Sequence, residues 1–169
     1  MGAYKYYLVK VPCKRYIRKF ITSIFGDPVK ADRSSSVGCF LNSILTKNTY
    51  ESRNIGDVFD TKYMHDHIPF MINKFQFTHI GFDVPKDKVL ELNRYLENMF
   101  EEMLYSYCHV RIDINPERKK LIEEFVRLYK IEVDEDISMD ALVKMEYRFR
   151  KGIEKKHMVI TENAGTLFP

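Results

Sequence analysis

An apolar stripe with helical spacing, between Pro85 and Val110, constrains the fold of this 169-residue chain more than any other feature. Apolar residues recur there every three or four positions, which is the pattern of an α-helix with one buried face. Pro85 suits the first turn of a helix, where its missing amide hydrogen would have no partner. We therefore predict a long helix that forms the spine of the core. Its apolar stripe comprises Val89, Leu92, Leu96, Met99, Phe100, Met103, Leu104 and Tyr107.

The first part of the chain predicts a strand followed by two helices. Tyr4–Val11 is rich in aromatic and β-branched residues, and the proline after it is expected to end the strand. Cys13–Phe25 has an apolar helical face and stops at Gly26-Asp27-Pro28. Ser34-Ser35-Ser36 offers hydroxyls that can cap a short helix over Val37–Leu45.

The segment His65–Phe82 predicts a β-hairpin, because Asn73-Lys74 is a suitable two-residue turn between two apolar stretches. Pro69 places the first strand of this hairpin at a sheet edge, since proline cannot donate to the ladder. The preceding Asn48–Lys62 has no strong period and is predicted to be a loop, with one short strand within it as the alternative. Together with the first strand, the hairpin would form a small antiparallel sheet packed on the long helix.

The C-terminal part predicts a pair of helices. Pro116–Lys130 has an apolar helical face, and an acidic segment, Glu132–Ser138, separates it from a basic helix over Ser138–Lys156. The fold class that follows from these elements is α+β. The expected organisation is a core domain over residues 1–114, a helical pair over residues 115–157 and a mobile tail over residues 158–169.

The basic helix carries two different faces. Leu142, Met145, Phe149 and Ile153 form an apolar line that can dock on a core. The cations lie well over a quarter of a turn around the helix axis from this apolar line. A helix that contacts phosphates has this arrangement. A solvated surface helix with no ligand is the alternative interpretation. The cationic line comprises Lys144, Arg148, Lys151 and Lys155, with Arg150 and Lys156 in support.

The formal net charge is only +3, so affinity for nucleic acid must come from segregated charge. A second basic cluster near the start of the chain mixes cations with aromatic residues, and Lys14 and Arg18 are its candidate phosphate contacts. An amphipathic helix whose long cations only cover apolar surface explains the same pattern.

The outline of helix, short turn and basic helix is that of a helix-turn-helix. Asp140 and the acidic turn before it would be repelled by phosphate, which disfavours base reading from the N-terminal end and favours backbone contact. These carboxylates can instead complement the dipole at the start of their own helix. An ordinary helical pair is the alternative.

The sequence contains no catalytic or metal-binding signature. Glycine loops for phosphate, nucleophile elbows and zinc-protease motifs are absent, and the three cysteines form no CxxC pair. His65 and His67 point the same way on a strand, but the predicted hairpin directs His79 to the other face. We therefore expect no metal site, no cofactor and no enzymatic activity.

Two ends of the chain resemble small uncharacterised proteins of bacterial phages and mobile elements. Val11–Phe20, followed by Gly26-Asp27-Pro28, is similar to the start of such proteins. Asp136–Leu142, followed by Tyr147-Arg148-Phe149-Arg150, is similar to a helix-turn-helix-like segment in the same group. The resemblance implies a DNA-associated or phage accessory protein and does not cover the middle of the chain.

These observations favour a nucleic-acid-binding protein, with DNA as the favoured partner, in a regulatory or accessory role of a phage or mobile element. A structural or assembly component, such as a virion-associated protein, is the alternative from a different class. The C-terminal tail offers a contact for a protein partner, because Leu167-Phe168 can enter an apolar groove. Without a signal peptide or a bilayer-length apolar run, the expected location is the cytoplasm of a bacterial host cell, or the virion.

Overall fold

The computed structural model describes residues 6–47, 64–113 and 117–165, with the backbone alone over residues 157–165. The chain is α+β, as the sequence predicts, and forms two compact units, Met1–Asn98 and Met99–Pro169. The division falls within the long helix, whereas the sequence placed a boundary after residue 114. A continuous helix gives no composition change at the point where its packing partners change, so the sequence carries no signal there.

The first unit contains a sheet and the helices packed on it. Ser35 caps the second helix, because its hydroxyl accepts the amide hydrogen of Gly38 at 3.0 Å. This agrees with the serine cap that the sequence predicts. In chain order the elements are β1 (Tyr6–Cys13), α1 (Arg15–Phe25), β2 (Val29–Lys30), α2 (Ser36–Ile44), β3 (Asp66–Asn73), a π-helical turn (Gln76–Ile80) and the start of α3 (Lys86–Arg111).

The sheet is mixed, and within the described residues its strand order is β1-β3-β2. β1 runs antiparallel to β3, while β2 runs parallel to it, so the prediction of a purely antiparallel sheet is wrong. The predicted edge position of Pro69 is also wrong, since β3 is the central strand. β2 pairs only with Phe70 and Met71 of β3. Within the described part of the chain, Pro69 therefore has no strand residue opposite it on the β2 side, and its missing amide hydrogen costs no hydrogen bond there.

The predicted hairpin at Asn73-Lys74 does not form. A tight hairpin turn favours glycine at a central position, and this turn has none. Instead, the Asn73 amide donates to Gln76 Oε1 at 2.7 Å, and the Gln76 amide donates to Asn73 Oδ1 at 2.9 Å. These reciprocal bonds turn the chain into a helical segment. The side chain of the buried Gln76 donates from Nε2 to Asn42 Oδ1 at 2.7 Å, which ties this turn to α2.

β1 is an edge strand and continues through Pro12 to Cys13, although the sequence predicted that Pro12 would end it. An edge strand tolerates proline because one of its sides needs no ladder bond. The carbonyl of Pro12 accepts a hydrogen bond of 2.8 Å from the Asn93 side chain on α3. The predicted loop over Asn48–Lys62 lies outside the described residues.

α3 is the long helix that the sequence predicts, with bounds within one residue of those expected. Leu92 and Leu96 are fully buried in the first unit. Along the rest of the stripe the burial differs in detail, because Phe100 and Leu104 are fully buried while Met99 and Met103 are half-buried.

The second unit contains the end of α3, then α4 (Arg118–Leu128) and α5 (Met139–Gly165). Phe125 on α4 meets Phe100 on α3 edge to face, with ring centroids 5.5 Å apart. α5 continues to Gly165, whereas the sequence predicted a tail from Met158. The tail residues Leu167-Phe168 lie outside the described residues. The fully buried or nearly buried apolar residues of this unit are Phe100, Leu104, Cys108, Leu121, Ile122, Phe125, Val126, Ile131 and Leu142.

Candidate nucleic-acid interface

The start of α5 is fixed by Ser138. Its hydroxyl accepts the amide hydrogen of Ala141 at 3.3 Å, and its carbonyl accepts the amide of Leu142 at 3.2 Å. Asp140 lies in the first turn, where a carboxylate complements the positive end of the helix dipole. The carboxylate of Asp136 accepts the amide of Glu132 at 2.8 Å and so stabilises the turn before the helix.

α5 docks through a face that is only partly apolar. Leu142 is fully buried, while Met145, Phe149 and Ile153 from the predicted apolar line are half-buried. The most deeply buried neighbour of Leu142 on this face is Glu146, whose side chain is 3% exposed. Sequence reasoning missed this carboxylate. The helical spacing does indicate it, because Glu146 lies four residues after Leu142 and three before Phe149 and so shares their face of the helix.

The buried Glu146 carboxylate is held between two guanidinium groups. Glu146 Oε1 lies 2.6 Å from Nη1 of Arg118 on α4 and 3.5 Å from Nε of Arg150. A buried carboxylate needs such partners, because removal from water is costly for an unpaired charge. The pair between Arg118 and Glu146 therefore joins α4 to α5.

Arg150 is the one predicted phosphate contact on α5 that turns toward the protein. Its side chain is 25% exposed, and besides Glu146 it contacts Glu154 at 3.5 Å. Its guanidinium also lies 5.3 Å from the ring centre of Tyr147. Arg150 is thus part of the packing of α5, in contrast to the exposed line of cations.

The predicted cationic line is exposed and lies on the side of α5 away from Leu142 and Glu146. Lys151 Nζ is 2.7 Å from Glu154 Oε2, and this hydrogen bond raises the pKa of Lys151. The other cations have no ion pair among the described residues. We call this exposed row the α5 basic face, which comprises Lys144, Arg148, Lys151 and Lys155. Lys156 is also exposed and lies beside the row rather than in it.

The predicted contacts near the start of the chain belong to the first unit and are engaged in ion pairs. Lys14 Nζ lies 2.9 Å from Glu97 on α3. Arg18 contacts Asp66 at 3.3 Å and Asp27 at 3.6 Å. The hydrogen bond that the Arg18 guanidinium donates to the Asp66 carboxylate is the main cause of the raised pKa of Arg18. These cations support the packing of α1 and offer less free charge than the α5 basic face.

The histidines and cysteines do not assemble into a metal centre within the described residues. His65 and His67 are exposed, and the ring of His79 in the π-helical turn contacts that of Phe75 just before the turn, with ring centroids 4.5 Å apart. Burial raises the pKa of Cys13 to about 12 and that of Cys108 to about 11, so both thiols stay protonated at neutral pH.

Among the described helices, none combines the length and apolar character needed to cross a membrane. Comparison with protein-family models, with curated proteins and with solved structures finds no match for this chain. The fold and the α5 basic face therefore define an α+β protein with a cationic helix as its candidate site.

Proposed function

We propose that this protein binds nucleic acid, with DNA as the favoured form, by placing the α5 basic face against the phosphate backbone. The observation that carries the proposal is a single row of exposed cations, opposite the face on which the helix docks. Neighbouring cations of this row are three or four residues apart. That spacing corresponds to about 4.5–6 Å along a helix axis, so several phosphates of one backbone fall within reach.

Phosphate contact is favoured over base reading by the charges at the start of α5. Asp140 is exposed in its first turn, and the exposed Glu135 and Asp134 precede it. A recognition helix presents its N-terminal residues to base edges, and phosphates on either side would repel these carboxylates. The cations begin at Lys144, beyond the acidic turn, and extend toward the C-terminal part of the helix.

The role that we propose is an accessory or regulatory one in a phage or mobile element, acting in the cytoplasm of a bacterial host. The resemblance of the two ends of the chain to phage and mobile-element proteins supports this setting. The pair of α4 and α5 supplies the outline of a helix-turn-helix, with Arg118 and Glu146 joining its two helices.

A salt series on a generic duplex tests the proposal. Each cation that neutralises a phosphate contributes about one unit to the slope of log affinity against log salt. Alanine at Lys144, Arg148, Lys151 and Lys155 should therefore flatten the slope by roughly three to four units. The matched control replaces four exposed cations of the first unit, and its slope should stay close to that of the wild type. The control positions are Lys47, Lys74, Lys86 and Arg94.

Both variants lose four positive charges, so a difference between them reports position rather than net charge. Circular dichroism confirms that each remains folded. If the wild type fails to bind duplex at low salt, or if both variants lose affinity equally, the α5 basic face is not a phosphate-binding surface.

The second candidate is a structural or assembly component that binds an acidic protein surface. Val143 and Tyr147 favour it, because they lie one turn apart on α5 and are 40% and 50% exposed. Apolar side chains next to cations are common in protein interfaces. Self-association in the absence of nucleic acid, abolished by Tyr147→Ala, would support this candidate over the first.

A further inference from the structure

The sheet of the first unit has one open face. Along β1 the burial alternates, so that Val9 and Val11 are buried while Leu8 is 59% exposed and Tyr6 is 52% exposed. The buried side chains face α1, which packs against β3. The side chains on the other face are exposed or half-exposed, and they are Tyr6, Leu8, Lys10, Pro12, Lys30, His67, Pro69, Met71 and Asn73.

The strand register arranges this open face into an apolar centre with cations on both sides. Leu8 on β1 lies opposite Met71 on β3, and Lys10 lies opposite Pro69. On the other side of β3, Lys30 pairs with Met71. Neighbouring strands are about 4.8 Å apart, so the backbones that carry Lys10 and Lys30 are roughly 10 Å apart across Pro69 and Met71.

The charge on this face is positive. None of its outward-facing residues on the three described strands is acidic, and Lys10 has no ion pair among the described residues. Asp32 follows β2, and its pKa is lowered first by hydrogen bonds from Ser34 and then by the charge of Lys30. Its carboxylate is mainly engaged by Ser34, whose amide donates to Asp32 Oδ1 at 2.9 Å.

We propose that the open sheet face binds single-stranded nucleic acid. A base stacks on the exposed ring of Tyr6. Leu8 and Met71 provide the apolar surface beside it, and Lys10 and Lys30 contact phosphates. An aromatic side chain on a flat sheet, next to cations, is the combination that binds unpaired bases. In a duplex, the base faces are already stacked on one another and are not available to the ring.

The charge on the face disfavours a second copy of the chain as its occupant. Two such faces brought together would place Lys10 and Lys30 against like charges, with no carboxylate on either face to neutralise them. A polyanion with exposed aromatic faces satisfies both the cations and Tyr6. This site is in the first unit and needs no contribution from the α5 basic face, so either proposal can fail without the other.

The test compares two labelled strands of about 15 nucleotides, one of thymidines and one of the same length without bases. Binding is measured by fluorescence anisotropy, using the full chain with alanine at Lys144, Arg148, Lys151 and Lys155, so that the α5 basic face does not contribute. We expect the thymidine strand to bind at least tenfold more tightly than the baseless strand. Tyr6→Ala should weaken thymidine binding by about 5- to 150-fold, the range for loss of one stacked base.

Tyr6→Phe keeps the ring and should retain the affinity. The matched control is Phe75→Ala, because Phe75 is 65% exposed in the same unit but lies outside the open sheet face. Lys10→Gln is a second test that leaves the aromatic ring in place, and it should reduce the salt slope by about 0.7 units, the value for one phosphate of a single strand.

Equal affinity for the two strands would overturn the proposal. So would an unchanged affinity in both Tyr6→Ala and Lys10→Gln, each shown to be folded by circular dichroism. A wild-type dimer in light scattering that Leu8→Asp converts to a monomer would assign the face to a second copy of the chain instead.

Discussion

Arg118 and Glu146 form a close ion pair between α4 and α5, with 2.6 Å between Nη1 and Oε1. The Glu146 side chain is 3% exposed, whereas the Arg118 side chain is 32% exposed. The cost of burying this carboxylate is therefore offset by a guanidinium that remains partly hydrated and by Arg150 on the following turn. This pair lies on the same face of α5 as the fully buried Leu142, opposite the α5 basic face.

Removal of Arg118 should destabilise the protein more than removal of the whole pair. Arg118→Met leaves the buried Glu146 carboxylate with only the longer contact to Arg150, and we expect a loss of about 3 kcal/mol in the free energy of unfolding. The double variant Arg118→Met, Glu146→Met should recover most of this loss, because no buried charge remains. Chemical denaturation followed by circular dichroism measures both values. Equal stabilities of Arg118→Met and the wild type would show that the pair contributes nothing.

Glu154 should limit binding of nucleic acid by the α5 basic face. Its carboxylate engages Lys151 at 2.7 Å and Arg150 at 3.5 Å, and these contacts lower its own pKa. Glu154→Gln removes a charge that competes with phosphate for Lys151. We expect tighter binding to duplex, with a salt slope about one unit steeper than that of the wild type. Glu102→Gln, which alters an exposed carboxylate on α3, is the matched control.

The buried thiols should make the protein sensitive to alkaline pH. The pKa of Cys13 rises from 9.0 to about 12, mainly through burial and then through the charge of Asp66. Between these values the unfolded chain loses the thiol proton while the folded chain retains it. The contribution of the Cys13 thiol to the free energy of unfolding is therefore fully present below pH 9. It declines as the pH rises toward 12, by about 1.4 kcal/mol per pH unit.

Denaturation midpoints of the wild type and Cys13→Ala, measured from pH 8 to pH 11, test this expectation. The variant should be less stable at neutral pH and should lose less stability as the pH rises. Cys39→Ala is the matched control, because it removes an exposed thiol instead of a buried one. Parallel pH profiles for the wild type and Cys13→Ala would contradict the prediction.

Leu96 should contribute strongly to the stability of the first unit. It is fully buried on α3, so Leu96→Ala should cost about 2–5 kcal/mol in the free energy of unfolding. Met103→Ala on the same helix should cost less, since Met103 is only half-buried. Urea denaturation of both variants provides the comparison. A Leu96→Ala midpoint equal to that of the wild type would show that this face of α3 is not core.

Most of the helical elements could be predicted from sequence, because their signals are local. The apolar spacing of α3, the serine cap of α2 and the stop after α1 each depend on residues within a few positions of one another. The exposure of Lys144, Arg148, Lys151 and Lys155 follows from the same periodicity. The sheet could not be predicted in this way, since its strands pair across long stretches of sequence.

The amino-acid sequence by itself determined the α+β class, the long helix and the line of cations on α5. The tertiary structure decided that β3 lies at the centre of a mixed sheet, with Pro69 beside the short strand β2 rather than at an edge. It also decided that Glu146 and Arg150 turn inward while Lys151 stays exposed beside Glu154. Helical periodicity fixes which side chains share a face, but only the packing partners, such as Arg118, fix whether a charge on that face is buried.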